Sequence, residues 1–157
     1  MKLQIIAVGR LREAYFEAGV AEYLTRIQRV LPIEQIEVPS GTGEESNGRG
    51  EGALTKEGER LIRQVKPGTK IVTLESSGKQ YTSEKFSDWL QSEMNASTNR
   101  IAFLIGGAWG LDSRLTSAAS LRLSLSRMTL PHELARLILV EQIYRALMIW
   151  KGHPYHK

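Results

Sequence analysis

The 157-residue chain contains no cysteine. That excludes disulfides, cysteine-held zinc and thiol catalysis, and it fits the expectation of a cytoplasmic protein. No apolar run is long enough to cross a bilayer. The start, MKLQIIAVGRL, lacks a secretory signal pattern, because its short apolar run passes straight into an amphipathic segment. No membrane partner is therefore expected. Histidine is scarce: His132, His153 and His156 all lie near the C-terminus, and no pair has the spacing of metal ligands on one strand or helix face. No metal is expected. A dinucleotide-binding glycine fingerprint is missing after the first apolar run, which argues against a nicotinamide-dependent oxidoreductase. No Ser-His-Asp arrangement or paired carboxylates stand out.

What is present suffices for one domain with a substantial core. A net charge of +4 and a pI near 9.5 favour a polyanionic partner. Short apolar runs at 3–8 (LQIIAV), 70–74 (KIVTL) and 101–105 (IAFLI) read as buried strands, and 121–125 (LRLSL) reads as a further strand. Ile33–Val38 (IEQIEV) alternates with polar residues and reads as a strand nearer an edge. Helical spacing of apolar residues runs from about Leu11 to Val30 and from Ala53 to Val65. A further helix is expected from a Thr82 or Ser83 cap to about Met94, and a short one from an Asp112 or Ser113 cap through Ala119. Residues 39–52, PSGTGEESNGRGEG, read as a mobile loop in which Arg49 could touch a phosphate. Strands alternating with helices imply right-handed crossovers and a mostly parallel sheet flanked by helices.

Ligands of such sheets sit beyond the carboxyl ends of strands. Three ends carry small, polar or turn residues: Leu74–Gly78, with a turn at Glu75–Gly78; Ile105–Gly110; and Leu125–Pro131. At Gly106 and Gly107 either another backbone or a flat ligand can come close, because no Cβ intervenes.

The last helix is expected over 131–151, with Pro131 in its first turn and Gly152 as its stop. Its apolar residues, including Leu137, Ile138, Ile143, Leu147 and Ile149, cover more than one face, which suggests a second copy of the chain against it. Glu141 and Arg145 lie within that surface at i, i+4 spacing. They either neutralise one another or orient substrate. The tail, residues 152–157, is either a frayed terminus or a group of rings and charge suited to RNA.

The start MKLQIIAVGRL, the LIGG at 104–107 with Gly110 and Leu111, the run LSLSRMTLPHELARLILVEQIYRA at 123–146 and the ending HPYHK together resemble the RlmH family. These are pseudouridine N3-methyltransferases of large-subunit ribosomal RNA within the SPOUT superfamily. The similarity covers essentially the whole chain. It implies a single α/β domain over residues 1–157 with a C-terminal trefoil knot, a topology that general connection rules disfavour. It also implies a homodimer, S-adenosylmethionine as methyl donor, and a target in helix 69 of 23S rRNA in the assembled ribosome. The donor site implied by the resemblance comprises Leu74, Gly106, Leu125, Ser126, Arg127, Met128, Thr129 and Leu130. The tail residues His153, Tyr155 and His156 match the family ending that approaches the RNA. The 39–52 loop and Ala108-Trp109 depart from the family pattern.

The accepting atom, an imide nitrogen, carries a proton at neutral pH, so a base or a positive field must assist. The candidates are His132, Glu141, His153 and His156, with Tyr155 beside them in the tail and Arg145 or Arg136 to stabilise the anion; His132 has a structural reading as well. A second hypothesis is a non-catalytic ribosome-associated RNA-binding protein, which needs the charge and the tail but no donor pocket.

Overall fold

Five apolar runs assemble into one parallel sheet in a computed structural model that describes residues 1–41 and 51–156. The strands are β1 (Lys2–Val8), β2 (Ile33–Val38), β3 (Lys70–Gln80), β4 (Arg100–Ile105) and β5 (Leu121–Ser124), in the order β2-β1-β4-β3-β5. All four neighbouring pairs are parallel. The alternating strand β2 is an edge, as its pattern requires. Most of the 39–52 loop, including Arg49, lies outside the described residues, as does Lys157.

The helices are α1 (Ala14–Gln28), α2 (Glu51–Gln64), α3 (Ser83–Asn95), α4 (Ser113–Ala118) and α5 (His132–Trp150). Strand side chains alternate between the two faces. On one face Leu3, Ile5, Ile101 and Phe103 pack with Val20 and Ile27 of α1, Phe86 and Leu90 of α3, and Leu139 and Ile143 of α5. On the other, Ile6, Val8 and Leu104 meet Leu61 of α2 and Leu115 of α4. The result is a three-layer α/β domain.

Helix α5 lies between α1 and α3 on the sheet. Within the protomer its neighbours bury Leu139, Val140, Ile143, Ala146 and Leu147, while Leu134, Leu137, Ile138 and Ile149 are half-buried and Trp150 is exposed, so part of its apolar spread stays uncovered. Ile143 is fully buried in the protomer, and Leu137 lies against Gly19 of α1.

Local signals decide the helix ends. The Thr82 hydroxyl accepts from the Lys85 N–H (3.2 Å), and the Asp112 carboxylate from the Arg114 N–H (2.8 Å), so these two are the N-caps. Pro131 sits one place earlier than expected, at the N-cap of α5. Gly152, at φ +65°, ends α5 with two reversed bonds: Gly152 N–H to Ile149 O and His153 N–H to Met148 O, both 2.9 Å.

Strand β3 overturns one expectation. No turn ends it at Glu75–Gly78; the strand continues to Gln80 through a bulge in which Leu74 and Lys79 both face Leu123. Side chains of β5 pin the bulge. Arg122 pairs with Glu75 (2.7 Å) and donates to Ser77 Oγ (3.2 Å), while Ser124 Oγ donates to Ser76 O (3.0 Å).

Phe103→Ala should lower unfolding free energy by about 3–5 kcal/mol, read from the midpoint of denaturant unfolding at unchanged slope. Ile143→Asp should abolish folding, seen as a lost cooperative transition, rather than yield a folded monomer.

Candidate active site

The carboxyl ends of β3 and β4 and the segment between β5 and α5 enclose a cleft of about 660 Å³. One wall is Leu74 to Ser77, from the bulge of β3. The floor is Ile105 to Ala108 with Gly110 and Leu111. The third wall is Leu125, Ser126 and Met128 to His132, with Ala135 behind it. The three strand ends singled out in the sequence therefore meet in space. Leu74, Ile105, Leu130 and Ala135 supply apolar surface; Ser76, Ser77, Thr129 and His132 supply polar groups.

Gly106 is explained by the fold itself. A Cβ there would stand 2.0 Å from Gly110 O, so the close approach it permits is that of its own chain. The turn is completed by the Gly110 N–H to Gly107 O bond (3.1 Å) and by Gly110 at φ +83°. In the third wall, Ser126 Oγ accepts from the Met128 N–H (3.0 Å), and Ser126 O accepts from Ser124 Oγ (3.0 Å). This shapes the segment without regular structure. Of the expected donor-site residues, Leu74, Gly106, Leu125, Ser126, Met128, Thr129 and Leu130 line the cleft. Arg127 does not; it is exposed.

The third wall is held at the start of α5 by two charged residues. Arg136 is fully buried; its guanidinium donates to Gly9 O (2.8 Å) and pairs with Glu37 (2.6 Å). It is thus committed to β1 and β2, and its expected role of stabilising an anion in the site does not hold. Glu133 accepts from the Arg12 (2.8 Å) and Glu13 (3.2 Å) N–H groups, just ahead of α1. Burial raises the pKa of this carboxyl, but the two N–H groups, with His132 and Arg136 nearby, outweigh that and leave it below its ordinary value. Neither role carried a sequence signal. A lone Glu or Arg at a helix start reads as a solvated side chain until a chain segment 120 residues earlier is brought against it.

The catalytic candidates separate. His132 is in the cleft. Glu141 lies nine residues further along α5, roughly 14 Å at the helical rise. There it holds Arg145 (2.6 Å) and accepts from the Tyr155 hydroxyl (3.2 Å). Tyr155 also bonds Tyr23 (3.0 Å), packs edge-on against Tyr144 (4.8 Å between centroids), and lies under Arg145 (5.0 Å). Burial, then the Tyr23 hydrogen bond, raises the phenol's pKa, and Arg145's own hydrogen bond to Glu141 raises the pKa of the guanidinium. The tail is therefore packed as far as Tyr155, and the frayed-terminus alternative fails there. His153 is exposed, and its Nδ1 accepts from the Tyr155 N–H (3.3 Å). The side chain of His156 lies outside the described residues. Among the described residues no three metal-ligating side chains converge, and no helix is long and apolar enough to cross a membrane.

Residues 1–156 match a family model described as a predicted SPOUT methyltransferase. The chain is 45% identical over 159 aligned positions to the ribosomal RNA large subunit methyltransferase H of Ruminiclostridium cellulolyticum, covering 100% of each. It is 43% identical over 156 positions to the protein of that name from Pelotomaculum thermopropionicum, covering 98% of each. The counterpart in Bacillus cytotoxicus is 40% identical over 159 positions, with 100% of each covered.

Gly106→Ala should open the Gly106–Gly110 turn and destabilise the domain, measured as a lowered melting temperature. For Glu133, the lowered folded pKa means that its contribution is complete above the ordinary value of 4.5 and is lost as pH falls below it. Glu133→Gln should accordingly melt lower at neutral pH. The gap to wild type should close as the medium is acidified through that range, as followed by thermal unfolding against pH.

Proposed function

The chain belongs to the SPOUT methyltransferase family, and from that premise we propose that it methylates N3 of a pseudouridine in helix 69 of 23S rRNA. On this reading it uses S-adenosylmethionine, acts in the cytoplasm on the assembled ribosome and works as a homodimer. The observation that carries the reading is the cleft at the carboxyl ends of β3 and β4. At about 660 Å³ it falls among pockets that enclose a nucleoside-sized ligand, which span about 300–1,000 Å³. Its apolar walls and irregular third side suit an adenosyl group. The relatives' name, a ribosomal RNA large subunit methyltransferase, supplies the substrate class. The family's trefoil knot belongs to the same reading. Support comes from the segment after β5, which lies across the cleft from the bulge of β3 and the turn that follows β4.

Leu74 and Leu130 would hold the adenine between them, with backbone groups of residues 125–130 available to its edge. When bound, the donor supplies an electrophilic methyl on a sulfonium. His132 is the catalytic candidate that its own chain places in the cleft, and its imidazole takes the imide proton of the target base. The Glu141–Arg145–Tyr155 cluster is too far along α5 to serve that cleft. In a two-fold dimer it serves the partner's cleft, with Arg145 facing the developing negative charge. The +4 charge favours the polyanionic substrate.

Calorimetry with S-adenosylmethionine should give saturable heat. Ribosomes from a strain lacking the modification should then gain a methyl at N3 of the target. Absence of heat at millimolar donor would return the chain to a non-catalytic RNA-binding role. Leu130→Arg, which blocks the cleft, and deletion of residues 153–157 should each abolish transfer. Mixed subunits of the two should recover about a quarter of the wild-type rate, since half the dimers are hybrid and each hybrid has one complete site. No recovery would mean that each subunit works with its own tail.

A further inference from the structure

Two large apolar side chains stand in water at this cleft: Trp109, 59% exposed, and Met128, 77% exposed. Met128 is part of the wall. Trp109 lies between two lining residues, Ala108 and Gly110, at the tip of the turn joining β4 to α4. The turn beneath it is stiff. Gly107 and Gly110 pair across it, and Gly110 O presses on Gly106 so closely that no Cβ fits. The Asp112 cap, tied to Arg114 (2.6 Å), anchors the chain that leaves it. The indole carried on this base is more than half exposed, at a cost in apolar hydration.

The surroundings indicate what covers it. The cleft edge is polar, with Ser76, Ser77, Ser126 and Thr129. Arg127, exposed between two lining residues, has no ion pair among the described residues. A protein interface needs a contiguous apolar core, and this rim is not one. A lone flat ring and an uncommitted cation, each next in sequence to residues of one cleft, match an unstacked nucleobase and a phosphate of its strand.

We propose that Trp109 is a stacking platform for an unpaired RNA base at the cleft mouth, holding the strand while its neighbour enters the site. The inference rests on the methyltransferase reading above. It assigns Trp109 to substrate positioning, apart from donor binding and proton transfer.

Trp109→Ala and Trp109→Phe are compared with wild type on ribosomes lacking the modification. Donor affinity is measured by calorimetry and oligomeric state by sedimentation. Trp109→Ala should raise KM for ribosomes about tenfold or more, with kcat and donor affinity unchanged, and Trp109→Phe should recover most of the loss. Unchanged KM in Trp109→Ala, with wild type active, overturns the inference alone. So does a shift of Trp109→Ala to monomer, which would assign the indole to a subunit interface, or a parallel loss of donor affinity, which would assign it to the donor pocket. A wild-type protein that neither binds donor nor transfers methyl overturns the function and this inference with it.

Discussion

The Arg136 guanidinium has no contact with water, yet it sits where a helix, a strand end and an edge strand converge. Its charge is met by Glu37 and by the Gly9 carbonyl. Glu37 in turn accepts the Leu11 N–H (3.2 Å), and Glu133, one turn earlier on α5, accepts the next two N–H groups. The chain between β1 and α1 is thereby fastened to the first turn of α5. Removing Glu37 would strand the fully buried Arg136 charge, which destabilises the fold, whereas Glu37 itself reaches water. This fastening sets the direction in which residues 125–131 run, and those residues are one wall of the cleft.

Helix α5 carries two chemistries at separate addresses. Its first turn brings His132 to the cleft; its third and fourth turns hold the Glu141–Arg145–Tyr155 cluster. Between them Leu139 and Val140 are buried in the core. The helix is thus a spacer, and its rigidity keeps the two sites apart within one chain. That separation, more than the amount of apolar surface on α5, is the physical argument for a second subunit. The sheet, α1 and α3 cover Leu139, Ile143 and Leu147, but Leu134, Leu137, Ile138 and Ile149 stay half-buried and Trp150 is exposed.

The same division shows in how the cleft is made. Each wall is short and irregular: a bulge after Leu74, a glycine turn after Ile105, a serine-shaped segment after Ser124. Irregular backbone leaves N–H and C=O groups available to a ligand, and such groups need no distinctive side chains. A site built this way carries few marks of catalysis in its sequence.

Strand and helix placement was legible because burial on both faces of a sheet, and on one stripe of a helix, writes a period into the residues. The alternation of IEQIEV placed β2 at an edge, and small, polar or turn residues after the apolar runs marked the segments that form the cleft. Thr82 and Asp112 stood among the expected caps, although only the hydrogen bonds decided between each and its neighbouring serine. The run Glu75–Gly78 read as a turn, because its small polar residues fit one; partners 47 and 48 positions away made it a bulge instead. The commitment of Arg136 to Glu37, 99 positions away, was likewise invisible. Local patterning follows from the backbone's own periods and is decided by neighbours in sequence. The bulge and the buried arginine depend on contacts between distant segments, which exist only once the sheet has brought them together.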